Sequence, residues 1–156
     1  MMKNEIEIIE FEEKYASDFS RLNRAWLEKY FYVEPIDAGQ LDDPVKYFIE
    51  KGHLIYFARI KNEIAGTFAF IRHADGSLEF SKMAVDEKFQ GKKIGNRLME
   101  FCIEKAKLLS SPRIFLYSNT VLQPAIQLYR KYGFVEIPIG KVDYKRSNIK
   151  MEKIIE

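Results

Sequence analysis

The chain has 156 residues, the size of one ordinary domain with room for a continuous core, so a single domain over 1–156 is expected. Its 25 basic and 23 acidic residues leave a net charge of +2, which gives no chain-wide electrostatic basis for binding nucleic acid. No apolar run approaches the roughly 20 residues of a membrane helix. The opening Met-Met-Lys-Asn-Glu-Ile-Glu also lacks the apolar core and cleavage site of a secretory leader. Neither nucleic acid nor a membrane is therefore an expected partner, and a cytoplasmic location is the default.

In chain order, residues 4–10 alternate Ile6 and Ile8 with glutamates and suit a first strand with one buried face. Phe19, Leu22, Trp26 and Tyr30 recur at helical spacing over 15–32, and Pro35 with Ile36-Asp37-Ala38-Gly39 is expected to end that helix. Asp43 before Pro44 signals a shorter helix through Val45, Phe48 and Ile49, stopped by Gly52. Aliphatic and aromatic runs over 54–60 and 64–72, joined by Lys61-Asn62-Glu63, predict a hairpin. Ala74-Asp75-Gly76 turns the chain into a third strand over 77–85, antiparallel to the second.

That strand runs into Asp86-Glu87-Lys88-Phe89-Gln90-Gly91-Lys92-Lys93-Ile94-Gly95, a small basic turn that opens a helix. Gly91 and Gly95 allow tight backbone geometry, Gln90, Lys92 and Lys93 bring donors and charge, and the helix start aims its amides into the turn: the elements of a phosphate seat. The spacing is neither Gly-x-Gly-x-x-Gly nor a loop closed by Gly-Lys-Ser/Thr, so the Rossmann and P-loop readings do not fit. The helix carries its apolar stripe at Leu98, Cys102, Ala106 and Leu109.

Pro112 marks a break before a short strand over 113–117, which a crossover through the long helix places parallel to the strand over 77–85. A helix over 124–132 follows, with Gly133 suited to its C-terminal cap, then strands over 134–137 and 144–155. The sum is a mixed α+β sheet flanked by helices. The one cysteine, Cys102, excludes an intrachain disulfide and reads as a small buried hydrophobe. His53 and His73 have no partner at a metal-ligand spacing, so no metal is expected, and both read as surface or strand-end residues.

Two segments carry a family resemblance. Gln90-Gly91-Lys92-Lys93-Ile94-Gly95 resembles the acetyl-CoA motif Arg/Gln-x-x-Gly-x-Gly/Ala of the GNAT superfamily of N-acetyltransferases. Ala125-Ile126-Gln127-Leu128-Tyr129-Arg130-Lys131-Tyr132-Gly133-Phe134 resembles its late helix and strand, Ala-x-x-Leu-Tyr-x-x-x-Gly-Phe. The element order agrees. The resemblance implies a GNAT-type, mostly antiparallel sheet of about seven strands with about four helices, acetyl-CoA as cosubstrate, and transfer of its acetyl group to a primary amine of a small molecule or peptide by direct attack in a ternary complex. A non-catalytic acyl-CoA sensor or an interaction module on the same fold is the alternative. A monomer or a homodimer is compatible with either.

The resemblance also implies site residues. Met83, Ala84 and Val85 match the strand that pairs with the pantetheine arm as an added strand would. Gln90, Gly91, Lys92, Lys93, Ile94, Gly95 and Asn96 match the pyrophosphate seat, with Lys93 where the family commonly has glycine. Asn119 is either a side-chain ligand of the cofactor arm or a turn residue bonding its own backbone. Tyr129 matches the general acid to the departing sulfur, and Glu79 matches one carboxylate position used as base, its plainer reading being a solvated strand residue. Leu122 replaces a common asparagine. In the early segment Glu34 and Asp37, among Trp26, Tyr30, Phe31 and Tyr32, are the expected contacts to a cationic acceptor, which aromatic faces and carboxylates would attract.

Overall fold

Seven strands follow one another along the chain: β1 (Ile6–Glu10), β2 (Leu54–Ile60), β3 (Glu63–Arg72), β4 (Leu78–Val85), β5 (Arg113–Ser118), β6 (Val135–Ile137) and β7 (Ile149–Ile154). They come from a computed structural model that describes residues 5–141 and 145–156. All seven join one sheet in the order β1-β2-β3-β4-β5-β7-β6. Every pairing is antiparallel except β4 with β5, which are parallel as the helical crossover requires. Lys61 and Asn62, both at positive φ (47° and 68°), make the tight turn from β2 to β3, a backbone twist that suits a two-residue hairpin.

Among the described residues four α-helices cover the two faces: α1 (Ala16–Tyr30), α2 (Pro35–Asp42), α3 (Ile94–Leu108) and α4 (Gln123–Lys131). A single π-helical turn, Val45–Ile49, lies between α2 and β2, where the sequence predicts the shorter helix. Pro35 opens α2 instead of closing α1. Proline is at home in a helix's first turn because its φ is already helical and its missing N–H would have had no partner there. The Glu34 amide donates to Asp37 Oδ2 at 3.0 Å, one arm of a capping box that the sequence reading of Pro35 as a stop overlooked. The closing strand begins at Ile149, and Tyr144, at the start of its predicted span, lies outside the described residues, as does Asn4 of the first.

The sheet has a core on each side. Under α3 and α4, Phe68, Phe70 and Phe80 pack with Leu98, Met99, Cys102, Ile126, Tyr129 and Phe134. Under α1, α2 and the π turn, Phe19, Leu22, Leu27, Leu41 and Phe48 pack on Ile55, Phe57 and Ala69. A fully buried phenylalanine contributes roughly 1.5–3 kcal/mol, so these rings fix both helix layers firmly to the sheet. Gly66 matters for the layer that carries the turn. A Cβ there would lie 3.0 Å from Ile94 Cγ2 and 3.3 Å from the Ala84 carbonyl, so its absence lets the first turn of α3 sit directly on β3. Among the described residues no helix is long and apolar enough to cross a membrane.

Candidate active site

β4 and β5 share only the first two rungs of their ladder, Leu78 with Ile114 and Glu79 with Phe115, although β5 runs on to Ser118. From Phe80 onward the strands part. A register slip against β3 falls between Thr67 and Ala69, and Lys82 within it has φ +58°, so β4 bulges and turns away from its neighbour. The resulting cleft encloses about 740 Å³ open to solvent. β4 lines it with Glu79 to Met83, β5 with Leu116 to Ser118, α4 with Tyr129, and α1 with Asn23, Trp26 and Leu27.

Tyr129 reaches the cleft from the α3–α4 side and is 7% exposed. Burial, and to a lesser degree the nearby Cys102, pushes its phenol well above the ordinary tyrosine range, so the hydroxyl keeps its proton at neutral pH. Glu79 is on the cleft wall where the strands separate, its side chain 11% exposed. It is not the solvated strand residue of the plainer reading. Its Oε1 lies 3.0 Å from His73 Nε2, a partner that no spacing motif in the sequence flags. Thus the acid and base positions implied by the motifs meet in one cleft.

The turn after β4 takes up the geometry of an anion seat. Gly91 (φ +83°) and Lys93 (φ 60°, ψ 33°) are both left-handed, so a lysine holds the conformation that glycine would enter freely. The first helical hydrogen bond of α3 runs from the Arg97 amide to the Lys93 carbonyl. The amides of Ile94, Gly95 and Asn96 precede it and point out of the helix start. Gln90, Gly91, Lys92 and Lys93 are exposed around them. A Cβ on Gly95 would sit 3.2 Å from Leu128 Cδ2, which draws α4 close to the helix start. A coenzyme A diphosphate fits this donor set: amides in a row, two lysines, and open space beside Gly91.

Other expected contacts are engaged within the chain. The Asn96 side-chain carbonyl accepts from Lys131 Nζ at 2.9 Å and Tyr132 Oη at 3.2 Å, leaving its backbone amide as the group facing the turn. Asn119 accepts from the Val121 amide at 2.9 Å and donates to the Arg146 carbonyl at 2.6 Å, the turn-residue arrangement, while still lining the cleft. Glu34 and Asp37 are buried, and neither carboxylate faces the open cleft. Arg146 holds Glu34 at 2.9 Å and Asp37 at 2.7 Å, and Lys82 holds Asp37 at 2.7 Å. Where the sequence reading expects a cationic acceptor, the cations that these carboxylates meet in the folded chain are its own. Neither Lys82 nor Arg146 carries a sequence motif, and only folding brings them together.

The chain belongs to the acetyltransferase (GNAT) family: the model of that domain matches residues 51–136, from just after the π turn into β6. An uncharacterized N-acetyltransferase of Bacillus subtilis (strain 168), YvbK, is 32% identical over 92 residues, 59% of this chain and 59% of the relative. The chain thus spans about three fifths of the length of that curated relative. Among solved structures, a GNAT-family acetyltransferase of Staphylococcus aureus Mu50 superposes with a TM-score of 0.85 at 21% identity, covering 97% of this chain and 99% of that one. A putative acetyltransferase of Salmonella typhimurium, solved with its cofactor acetyl-CoA, gives 0.76 at 15% identity over 98% and 95% of the two chains. Both share the fold from β1 to β7.

Proposed function

We propose that this chain moves an acetyl group from acetyl-CoA to a primary amine of a small molecule or peptide, by direct attack in a ternary complex. The observation that carries this reading is the single cleft between the parted strands, lined by both Glu79 and Tyr129 and continuous with the freed edge of β4. Met83, Ala84 and Val85 on that edge would bind the pantetheine arm through their backbone, and the turn from Gln90 to Asn96 would seat the diphosphate. Bound acetyl-CoA supplies the activated acyl donor, a thioester.

The chain's own residues then have two proton tasks. An amine near lysine's pKa of about 10.4 is neutral in only roughly one molecule in a few thousand at pH 7, so Glu79 accepts a proton from the acceptor's ammonium group, directly or through a water. Tyr129, held protonated by burial, donates to the sulfur as it departs. Asn23, Trp26, Leu27 and Phe31 line the acceptor end of the cleft, with Glu34 and Asp37 behind them holding Lys82 and Arg146.

The test is thiol release from acetyl-CoA against amino acids, polyamines, aminoglycosides and peptide amines, with Tyr129→Phe and Glu79→Gln alongside. Turnover with at least one amine, lowered in both variants, is the expected result. Tight coenzyme A binding with no turnover across the panel would replace this reading by the non-catalytic sensor.

A further inference from the structure

We infer that His73 is a proton relay for Glu79, carrying each proton taken up in the cleft out to bulk water; the inference rests on the proposed acetyl transfer, in which Glu79 is the base. Glu79 is nearly buried, and a carboxylate that receives a proton in every turnover has to lose it before the next. A contact of the Glu79 carboxylate leads outward through His73: its Nε2 is 3.0 Å from Oε1, and its side chain is 41% exposed. One end of the pair lines the cleft and the other meets solvent.

The ring is held for this task. The His73 amide donates to the Ser77 carbonyl at 3.0 Å and the His73 carbonyl accepts from the Gly76 amide at 3.0 Å, so the β3–β4 turn folds residue 73 back toward residue 79. The ring packs on Phe115 with centroids 5.0 Å apart. The charged and titratable groups around it come from five elements: His53 at the end of the loop into β2, Arg72 from β3, Asp75 from the turn, Arg113 from β5 and Lys150 from β7, the last two over the Phe115 ring. Asp75 accepts from the Ser77 amide and Arg113 pairs with Glu152, so the carboxylate in hydrogen-bond contact with the ring is Glu79.

The proton balance closes without a further reactant. Tyr129 gives its proton to the sulfur and regains one from the nitrogen as the amide forms, so one proton is released per turnover: Glu79 takes it from the acceptor ammonium and passes it to Nε2. The imidazolium so formed loses a proton from Nδ1 to water, and the neutral ring regains its first tautomer by exchange with solvent. Imidazole suits this step because one ring nitrogen can take up a proton while the other gives one up.

The experiment compares the full-length protein with His73→Gln, whose amide can still hydrogen-bond Glu79 but cannot carry a proton. With acetyl-CoA and the fastest amine of the panel, His73→Gln is expected to keep its single-turnover rate and its KM for acetyl-CoA within about twofold while steady-state kcat falls about tenfold in dilute buffer, within the range that acid–base groups supply. Excess imidazole should restore most of the loss, and the wild type should be insensitive to it. A purely structural role for His73 would lower both rates together and would not respond to imidazole, which overturns the relay. Unchanged steady-state kcat in His73→Gln, beside a slow Glu79→Gln, overturns it as well and leaves the base intact. Full activity in Glu79→Gln overturns the base reading itself, and the relay with it.

Discussion

The Lys82 ammonium lies 2.7 Å from Asp37 Oδ1, joining the bulged residue of β4 to the first turn of α2 in the protein interior. Burial draws the Lys82 ammonium below the ordinary lysine range, with Asp37 opposing that pull. For Asp37 burial acts upward, but hydrogen bonds from Arg146 and the charge of Lys82 outweigh it and hold the carboxyl below the usual range. Lys82, Arg146, Asp37 and Glu34 together form a charge-balanced cluster at the wall of the cleft, which Lys82 and Arg146 line.

Asp37→Ala removes a carboxylate that meets both the buried Lys82 and the half-buried Arg146. Breaking a buried pair by deleting one member costs about 3–5 kcal/mol, because a desolvated charge is left uncompensated. Urea unfolding should show a midpoint lowered by that amount at unchanged slope. Lys82→Met should cost less, since Arg146 still holds Asp37. Equal losses in the two variants would show that Lys82, not Asp37, organises the cluster.

The same carboxylate sets an acid response. The Asp37 pKa is lower in the folded than in the unfolded chain, so its contribution is complete above the unfolded carboxylate range near pH 4. As pH falls through that value and on through the folded one, the unfolded chain binds more protons and stability is lost. Urea midpoints followed from neutral pH to about pH 3 should fall more steeply for the wild type than for Asp37→Asn.

Lys93 occupies a left-handed conformation at the start of α3. Left-handed backbone costs a residue with a side chain roughly 1–2 kcal/mol, and glycine largely escapes that cost. Lys93→Gly is expected to raise the melting temperature while weakening coenzyme A binding, because it removes strain and a cation together. Gly66→Ala should lower both the melting temperature and coenzyme A binding, since its Cβ would push Ile94 and the first turn of α3 off β3. Thermal unfolding and calorimetric titration with coenzyme A read both effects.

Tyr129→Phe deletes one hydroxyl from a buried ring that packs on Phe80 and Phe134 and keeps those packing surfaces. Coenzyme A affinity and stability should therefore change little, while kcat falls by about 10²–10⁴, the usual contribution of a positioned acid. The high phenol pKa also means that deprotonation of Tyr129 should not shape the activity profile at mildly alkaline pH.

Cys102 is fully buried on the inner face of α3, and burial raises its thiol well above the ordinary range. The native protein should not react with a disulfide reagent until denaturant is added. Cys102→Ala should leave turnover intact, as expected of a packing residue and not of a nucleophile.

Much of the fold is legible in the chain because its signals are local. Continuous aliphatic and aromatic runs mark β2 and β3, the stripe Leu98, Cys102 and Ala106 marks α3, and the crossover length makes β4 and β5 parallel. Pro35 misleads because the same ring that stops a helix also suits its first turn, and the deciding box between Glu34 and Asp37 needs the folded cap. His73 escapes notice because its importance depends on Glu79 lying beside it, and nothing in a histidine after a strand announces that neighbour.

The sequence by itself determined the family, and it marked the basic turn and Tyr129 as candidate site residues, since each rests on residues within a few positions of one another. Only the tertiary structure decided where β4 leaves β5, which charges Glu34 and Asp37 meet, and what touches Glu79. Those depend on pairs separated by up to 112 residues, as Glu34 is from Arg146, brought together by sheet register and burial. A buried charge takes whatever partner the fold provides, and no local pattern names that partner in advance.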